Sequence, residues 1–357
     1  MKINLKYCSL LLITVIVISG CRYKREGVII TKQVISLQKY WEFSIGKDER
    51  WTGKNYDDSK WEKIKVPSSW EDQGFNGYDG FACYRIHFKY DSDMKNHNLY
   101  LNLGRVDDAD RTYINGHLIG FMGTFPPHYQ TAYYENRRYY IPPEVLDQYG
   151  DNVIVVQVFD GELSGGILDG NPSIEIEDPD ASPDFNLAGI WDFKTGDDPL
   201  YSEVNYNYTD WEQITVPAKW ETQGYADYDG FAWYRRKFTL PENLKNKDIV
   251  LLMGKIDDID QTFINGHLVG STGNFSTDPP EFNAHNEYLQ LRGYSLPAKY
   301  LNQDGNNYIA VRVYDGFKDG GIYEGPIGLI SPEKFTSFWR KFTGDVKVER
   351  KDSFWNW

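Results

Sequence analysis

Apolar residues recur along most of this chain with a period of two. Asn98-Leu-Tyr-Leu-Asn-Leu103 alternates apolar and polar positions, and Asn152-Val-Ile-Val-Val-Gln-Val-Phe159 does so less strictly. This is the pattern of strands with one face toward a core. Asn115-Gly116 stands between two β-prone runs, the strongest short-range signal for a hairpin, and Asn265-Gly266 repeats it. Clusters of Pro, Gly, Asp and Asn punctuate the rest. Short strands at this spacing predict an all-β chain built as antiparallel sandwiches or jelly rolls.

Two segments break the pattern. Leu10 to Ile18 is an apolar run interrupted only by Thr14, preceded by Lys2 and Lys6 and followed by Ile18-Ser-Gly-Cys21. It is shorter than the roughly 20 residues a membrane-spanning helix needs, so residues 1–20 read as a signal segment. The Ile-Ser-Gly-Cys ending resembles a bacterial lipobox, which makes Cys21 the expected lipidation site. At the other end Phe335, Phe338, Trp339 and Phe342 fall at i, i+3, i+4 and i+7 after Pro332. They predict a short amphipathic helix that packs on the preceding domain, with docking to a protein partner as the alternative.

Between these segments the chain says the same thing twice. Trp70-Glu-Asp-Gln-Gly-Phe-Asn-Gly-Tyr-Asp-Gly-Phe-Ala-Cys-Tyr-Arg85 recurs as Trp220-Glu-Thr-Gln-Gly-Tyr-Ala-Asp-Tyr-Asp-Gly-Phe-Ala-Trp-Tyr-Arg235. Val106-Asp-Asp-Ala-Asp110 recurs as Ile256-Asp-Asp-Ile-Asp260, and Val158-Phe-Asp-Gly161 as Val313-Tyr-Asp-Gly316. The unit is far longer than a solenoid repeat and is domain-sized. The expected organisation is a tether over 21–34, domain one over 35–177, a Pro/Asp linker over 178–186, domain two over 187–331 and a tail over 332–357. The linker composition predicts halves that fold independently.

Composition narrows the partners. The net charge is −14, and −16 once Lys2 and Lys6 are removed with the signal, which argues against nucleic acid. Of the three cysteines, Cys8 leaves with the signal and Cys21 would carry lipid. Cys83 is then alone, as a small core residue with no disulfide framework and no cysteine metal site.

The order Trp61…Val66-Pro67…Trp70, Asp79-Gly-Phe-Ala-Cys-Tyr-Arg85, Asp107-Asp-Ala-Asp110…Ile114-Asn-Gly and Asp160…Gly165-Gly-Ile resembles the N-terminal sugar-binding jelly roll of family 2 glycoside hydrolases. That domain, galactose-binding-domain-like in fold, occurs in β-galactosidases. A similar module occurs in sialate O-acetylesterases. The second copy carries Trp211, Val216-Pro217, Trp220, Asp229-Gly-Phe-Ala-Trp-Tyr-Arg-Arg236, Asp257-Asp258 and Gly320-Gly-Ile322 and matches more fully. The resemblance implies two tandem jelly rolls and brings no active site. The family's paired catalytic glutamates lie on a separate (β/α)₈ barrel, and no Gly-Asp-Ser, Gly-x-Ser-x-Gly or His-Glu-x-x-His motif occurs.

Chemistry is therefore sought in loops. The family's loop before the Tyr-Arg strand and its Gly-Gly-Ile loop lie at the end that faces sugar. On that resemblance Tyr78, Asp79 and Asp160 in copy one, and Tyr228, Asp229 and Asp315 in copy two, are the candidate carbohydrate contacts. Tyrosine faces and carboxylates suit sugar C–H surfaces and hydroxyls. Phe275 and Phe282 are weaker candidates. Asp107-Asp108-x-Asp110 and Asp257-Asp258-x-Asp260 raise a structural calcium reading. Alternation along a strand argues against it, favouring a turn-capping aspartate or a pair with Arg85 or Arg235. No cofactor is expected, and His117 and His267 are read as solvated. The sequence thus predicts a lipid-anchored, non-catalytic carbohydrate-binding protein of the bacterial cell envelope, periplasm-facing. The alternatives are an accessory piece of a hydrolase, or a weak one, and a structural lipoprotein that holds a protein partner.

Overall fold

The computed structural model describes residues 31–95, 97–177, 182–281 and 287–343; Cys21, Phe282, part of the linker and the last residues of the tail lie outside them. The first repeat contains β1 (Thr31–Ser36), β2 (Tyr40–Ile45), β3 (Glu62–Lys65), β4 (Gly80–Lys89), β5 (Leu99–Asp107), β6 (Ala109–Ile114), β7 (His117–Met122), β8 (Asn136–Ile141), β9 (Asp151–Asp160), β10 (Gly166–Asp169) and β11 (Ser173–Glu177). One antiparallel sheet runs β3-β2-β4-β9-β6-β7, and the facing sheet runs β1-β11-β5-β10 with β8 also on β5. The first strand starts at Thr31, inside the stretch read as a tether. It is an edge strand whose mixed, half-exposed side chains hide it from an alternation test.

The second repeat rebuilds this plan with β12 (Phe185–Asn186), β13 (Gly189–Thr195), β14 (Glu212–Val216), β15 (Gly230–Thr239), β16 (Ile249–Asp257), β17 (Ile259–Ile264), β18 (His267–Thr272), β19 (Leu291–Leu296), β20 (Asn306–Asp315) and β21 (Gly321–Ile330). Its sheets run β14-β13-β15-β20-β17-β18 and β12-β21-β16-β19. The described residues thus form a pair of β-sandwiches followed by one α-helix, α1 (Pro332–Thr343).

The local chemistry explains the elements. Asn115 and Gly116 both take positive φ, 52° and 89°, as a two-residue hairpin loop of the primed type requires; Asn265 and Gly266 do the same at 49° and 80°. Trp70 and Trp220 are wholly buried in their respective cores. Each has a glycine against its ring: a Cβ on Gly165 would sit 2.1 Å from Trp70, and one on Gly320 would sit 2.0 Å from Trp220. The Gly-Gly pairs therefore let backbone close over tryptophan. Cys83 is buried in a small cluster with Tyr113, Val153 and Val155. In α1, Phe338 is buried against Leu252 and Ile330, so this helix docks on the second sandwich.

The two sandwiches are not beads on a free linker. Tyr100 and Tyr140 of the first repeat belong to the hydrophobic core of the second, beside Leu187 and Ala188. Tyr100 donates to Glu177 Oε1 at 2.7 Å, Asn98 donates to Glu177 Oε2 at 2.9 Å, and Asn186 donates to Asn98 Oδ1 at 2.6 Å. Arg236 reaches Glu144 across the seam at 3.3 Å. The linker predicts independent folding; the structure adds this packed seam between the halves. Proline and aspartate content describes a connector but says nothing of what the flanking domains bury against each other.

Candidate functional site

Strand register assembles the loop residues. The β4–β9 ladder begins with Gly80 opposite Asp160, which sets Asp79 beside the end of β9. On the other sheet Gly166 pairs with Asp107 at the end of β5. The chain passes from one sheet to the other through Asp108, between β5 and β6. Asp107, Asp108 and Asp160 therefore meet at one end of the sandwich, with one carboxylate oxygen from each lying within 4.8 Å of the others. The second repeat reproduces this with Gly230 opposite Asp315, Gly321 opposite Asp257, and Asp257, Asp258 and Asp315 gathered in the same way. The Asp107–Asp108 and Asp257–Asp258 peptides are both cis.

This corrects the argument from strand alternation. Alternation holds within a strand, and Asp108 sits where one strand has ended and the next has not begun. The third aspartate of each motif does turn away. Asp110 accepts from Arg137 at 2.9 Å and Asp260 from Arg292 at 3.1 Å, all four side chains being shielded from solvent. The arginine partner expected at Arg85 or Arg235 is not used: Arg85 pairs with Asp58, and Arg235 donates to the Tyr201 and Glu203 carbonyls. Asp108 Oδ2 does accept the Gly161 N–H at 2.9 Å, as a turn-capping aspartate would.

The electrostatics of each cluster are those of crowded, poorly solvated acids. Burial pushes the Asp160 carboxyl up to about 7, and the charges of Asp108, Glu71 and Asp79 add to this. Asp315 is pushed up to about 8 by burial and by Asp258, Glu221 and Asp229. Asp107 and Asp257 are raised by burial and by the adjoining Asp108 and Asp258. Burial works against the Asp108 charge too, but hydrogen bonds from Thr131, Tyr129 and Gly161 hold its carboxyl below the usual range.

The six predicted sugar contacts divide into three kinds. Tyr78 leans on Trp70 at 6.0 Å between ring centres and donates to the Phe81 carbonyl at 2.7 Å; Tyr228 leans on Trp220 at 5.6 Å and donates to the Phe231 carbonyl at 2.6 Å. Both are struts under the loop. Asp160 and Asp315 are 0% exposed. Asp79 and Asp229 are exposed at the surface above them. Phe275 lies 5.1 Å from the Arg312 guanidinium, and His117 and His267 are exposed.

One feature between the repeats had no sequence signal. A cleft of about 330 Å³ opens with Gln130, Thr131, Tyr134 and Glu135 on the first-repeat side, and with Lys219, Glu221, Asp227 and Asp319 on the second. Lys219 and Asp319 form an ion pair at 2.6 Å, and burial pushes the Glu221 carboxyl up to about 7 against hydrogen bonding from Gly320. Tyr134 is 64% exposed. No local pattern announces such a cleft, because its walls come from segments far apart in the chain, Gln130 to Glu135 on one side and Lys219 to Asp227 with Asp319 on the other.

Comparison with known proteins bears on this arrangement. Residues 204–316 match the family described as the β-galactosidase second all-beta domain. A Formosa agariphila protein named provisionally as a β-glucuronidase is 26% identical over 162 residues, covering 42% of this chain and 14% of the relative. A β-glucuronidase of the same organism is 26% identical over 99 residues, covering 24% of this chain and 10% of that protein. The chain thus spans a small part of the relatives it matches. Among solved structures, a Bacteroides uniformis β-glucuronidase is 15% identical with a TM-score of 0.37, covering 80% of this chain and 28% of that one. Residues 204–316 are therefore similar to the β-galactosidase second all-beta domain, and the first half of the chain holds a second sandwich of matching strand order.

Proposed function

We propose that this is a carbohydrate-binding protein of the bacterial cell envelope, lipid-anchored through Cys21, in which the paired sandwiches bind rather than cleave. The observation that carries the reading is the cleft between the repeats. It combines an exposed aromatic face, Tyr134, with acids, amides, hydroxyls and one ammonium group along both walls. Sugars are held by such a mixture, the ring face covering C–H surface and the polar groups taking hydroxyls. The carbohydrate-related names of the matched relatives support the same class of ligand. Asp79 and Asp229, exposed at the loop ends, are the second places where a glycan would touch.

A glycan array probed with residues 22–357, followed by calorimetry on each hit, tests this. Tyr134→Ala and Asp319→Ala are expected to weaken binding. Loss of one charged hydrogen bond costs about 1.5–3 kcal/mol, a roughly ten- to hundredfold drop in affinity. An array with no hit, or hits indifferent to both substitutions and to Asp79→Ala and Asp229→Ala, overturns the reading. Turnover of aryl β-glycosides abolished by Glu221→Gln would favour a hydrolase instead.

A further inference from the structure

The carboxylate trios beneath the loops play no part in that reading. Within each, one aspartate is wholly buried with an oxygen that has no hydrogen-bond partner: Asp160 Oδ2 in the first repeat and Asp315 Oδ2 in the second. Asp160 and Asp315 are each a member of a trio in which one carboxylate oxygen per residue lies within 4.8 Å of the others. An unpaired buried carboxylate is costly, and three acids so close repel each other. No Lys or Arg side chain pairs with any of the six among the described residues. Arg137 and Arg292, the nearby guanidinium groups, are committed to Asp110 and Asp260 and to the Asp108 and Asp258 carbonyls. The arrangement occurs twice, although the loop around it has diverged: Tyr129 and Thr131 attend the first cluster, and the second repeat has five more residues in that stretch.

We propose that each trio is a binding site for a hard divalent cation of the calcium class, one per repeat, that staples the two sheets at the loop end. Only oxygen ligands are offered, which selects calcium or magnesium over zinc or copper. Between the two, calcium tolerates irregular sites built from protein oxygens, whereas magnesium demands near-ideal octahedral geometry and keeps several waters, so a site made of three protein carboxylates favours calcium. The ligands come from the end of one sheet (Asp107), the crossing segment (Asp108) and the end of the other sheet (Asp160). A bound ion would thereby fix the Gly161–Gly165 loop against the sandwich.

The test uses the full-length protein in detergent, stripped with EDTA, and calcium chloride alone as the probe. Calorimetry is expected to show two calcium ions per chain, with dissociation constants on the order of 10⁻⁴ to 10⁻³ M as in other extracellular modules, and the melting temperature should rise on saturation. Asp160→Asn should reduce the stoichiometry from two to one, and Asp160→Asn with Asp315→Asn to none. Both variants should melt in EDTA at or above the wild-type temperature, since a like charge has been removed. If the wild-type protein shows no saturable calcium binding up to 10 mM, about tenfold above that range, or if both substitutions leave the stoichiometry at two, the proposal fails. A variant that does not fold is replaced by Asp107→Asn or Asp257→Asn with the same expected stoichiometry, and the wild-type titration decides on its own. Glycan binding is not part of this readout, so failure here and failure of the proposed function are separate results.

Discussion

Arg137 Nε lies 2.9 Å from Asp110 Oδ1 with neither side chain exposed to solvent, and Arg292 stands in the same relation to Asp260 at 3.1 Å. The same guanidinium also donates to the Ala132 and Asp108 carbonyls, so it ties the loop after β7 to the crossing between the sheets. Removing one member of a buried pair leaves the other charge uncompensated. Arg137→Met is expected to destabilise the protein by about 3–5 kcal/mol. Arg105→Met, at an exposed pair with Asp169, should change it by about 1 kcal/mol or less. Urea denaturation of both variants checks the contrast, and equal effects would count against the buried-pair account.

Trp220 is 0% exposed in the core of the second sandwich, with Phe193 and Tyr228 around it. Trp220→Ala should cost about 3–5 kcal/mol through lost burial and the cavity left behind. Trp70→Ala should behave alike in the first sandwich. Thermal melts of the two variants decide the matter; melting temperatures close to wild type would show that these rings are not structural.

Glu177 closes the seam between the repeats, and burial raises its carboxyl above the ordinary range despite hydrogen bonds from Asn98 and Tyr100. A raised folded-state value means that the native state holds this proton more tightly than the unfolded chain. The resulting stability is fully present below about pH 4.3 and is lost as pH rises through the folded value. Glu177→Gln cannot titrate. Its stability relative to wild type should therefore improve as pH rises from about 4.3 through the folded value and level off above it. Melting temperatures across that range check the slope, and a constant gap would contradict it.

Tyr100 and Tyr140 reach into the second repeat's core. A fragment spanning 185–357 should consequently melt well below the second transition of the whole chain, or fail to fold, while Tyr140→Ala in the intact protein should lower stability by about 3 kcal/mol or more. Differential scanning calorimetry compares the two. A fragment as stable as the intact domain would mean that the seam contributes nothing.

Cys21 follows a nine-residue apolar run and the small residues Ser19 and Gly20. Cys21→Ser should move the protein from the membrane fraction to the soluble one and abolish the lipidated N-terminal peptide mass. Unchanged fractionation with an unchanged lipid mass would end the lipoprotein proposal.

Much of this molecule is legible one segment at a time. Period-two alternation, paired Asn-Gly turns and a domain-length repeat announce two antiparallel sandwiches, because strand facing and turn geometry are set by residues next to one another. The aromatic spacing of Phe335 and Phe338 announces the docked helix for the same reason. The candidate site is legible only in part: Asp79 and Asp160 stand out as loop residues, but their depth does not. Tertiary structure alone buries Asp160 while exposing Asp79, brings Asp107 and Asp108 onto it at a crossing where alternation stops applying, and gives Asp110 to Arg137 rather than to Arg85. It alone sets Tyr100 and Tyr140 into the neighbouring core and opens the cleft beside Tyr134. These depend on which sheets pack face to face and in what register, and that is settled by contacts between residues tens of positions apart, which no local pattern encodes.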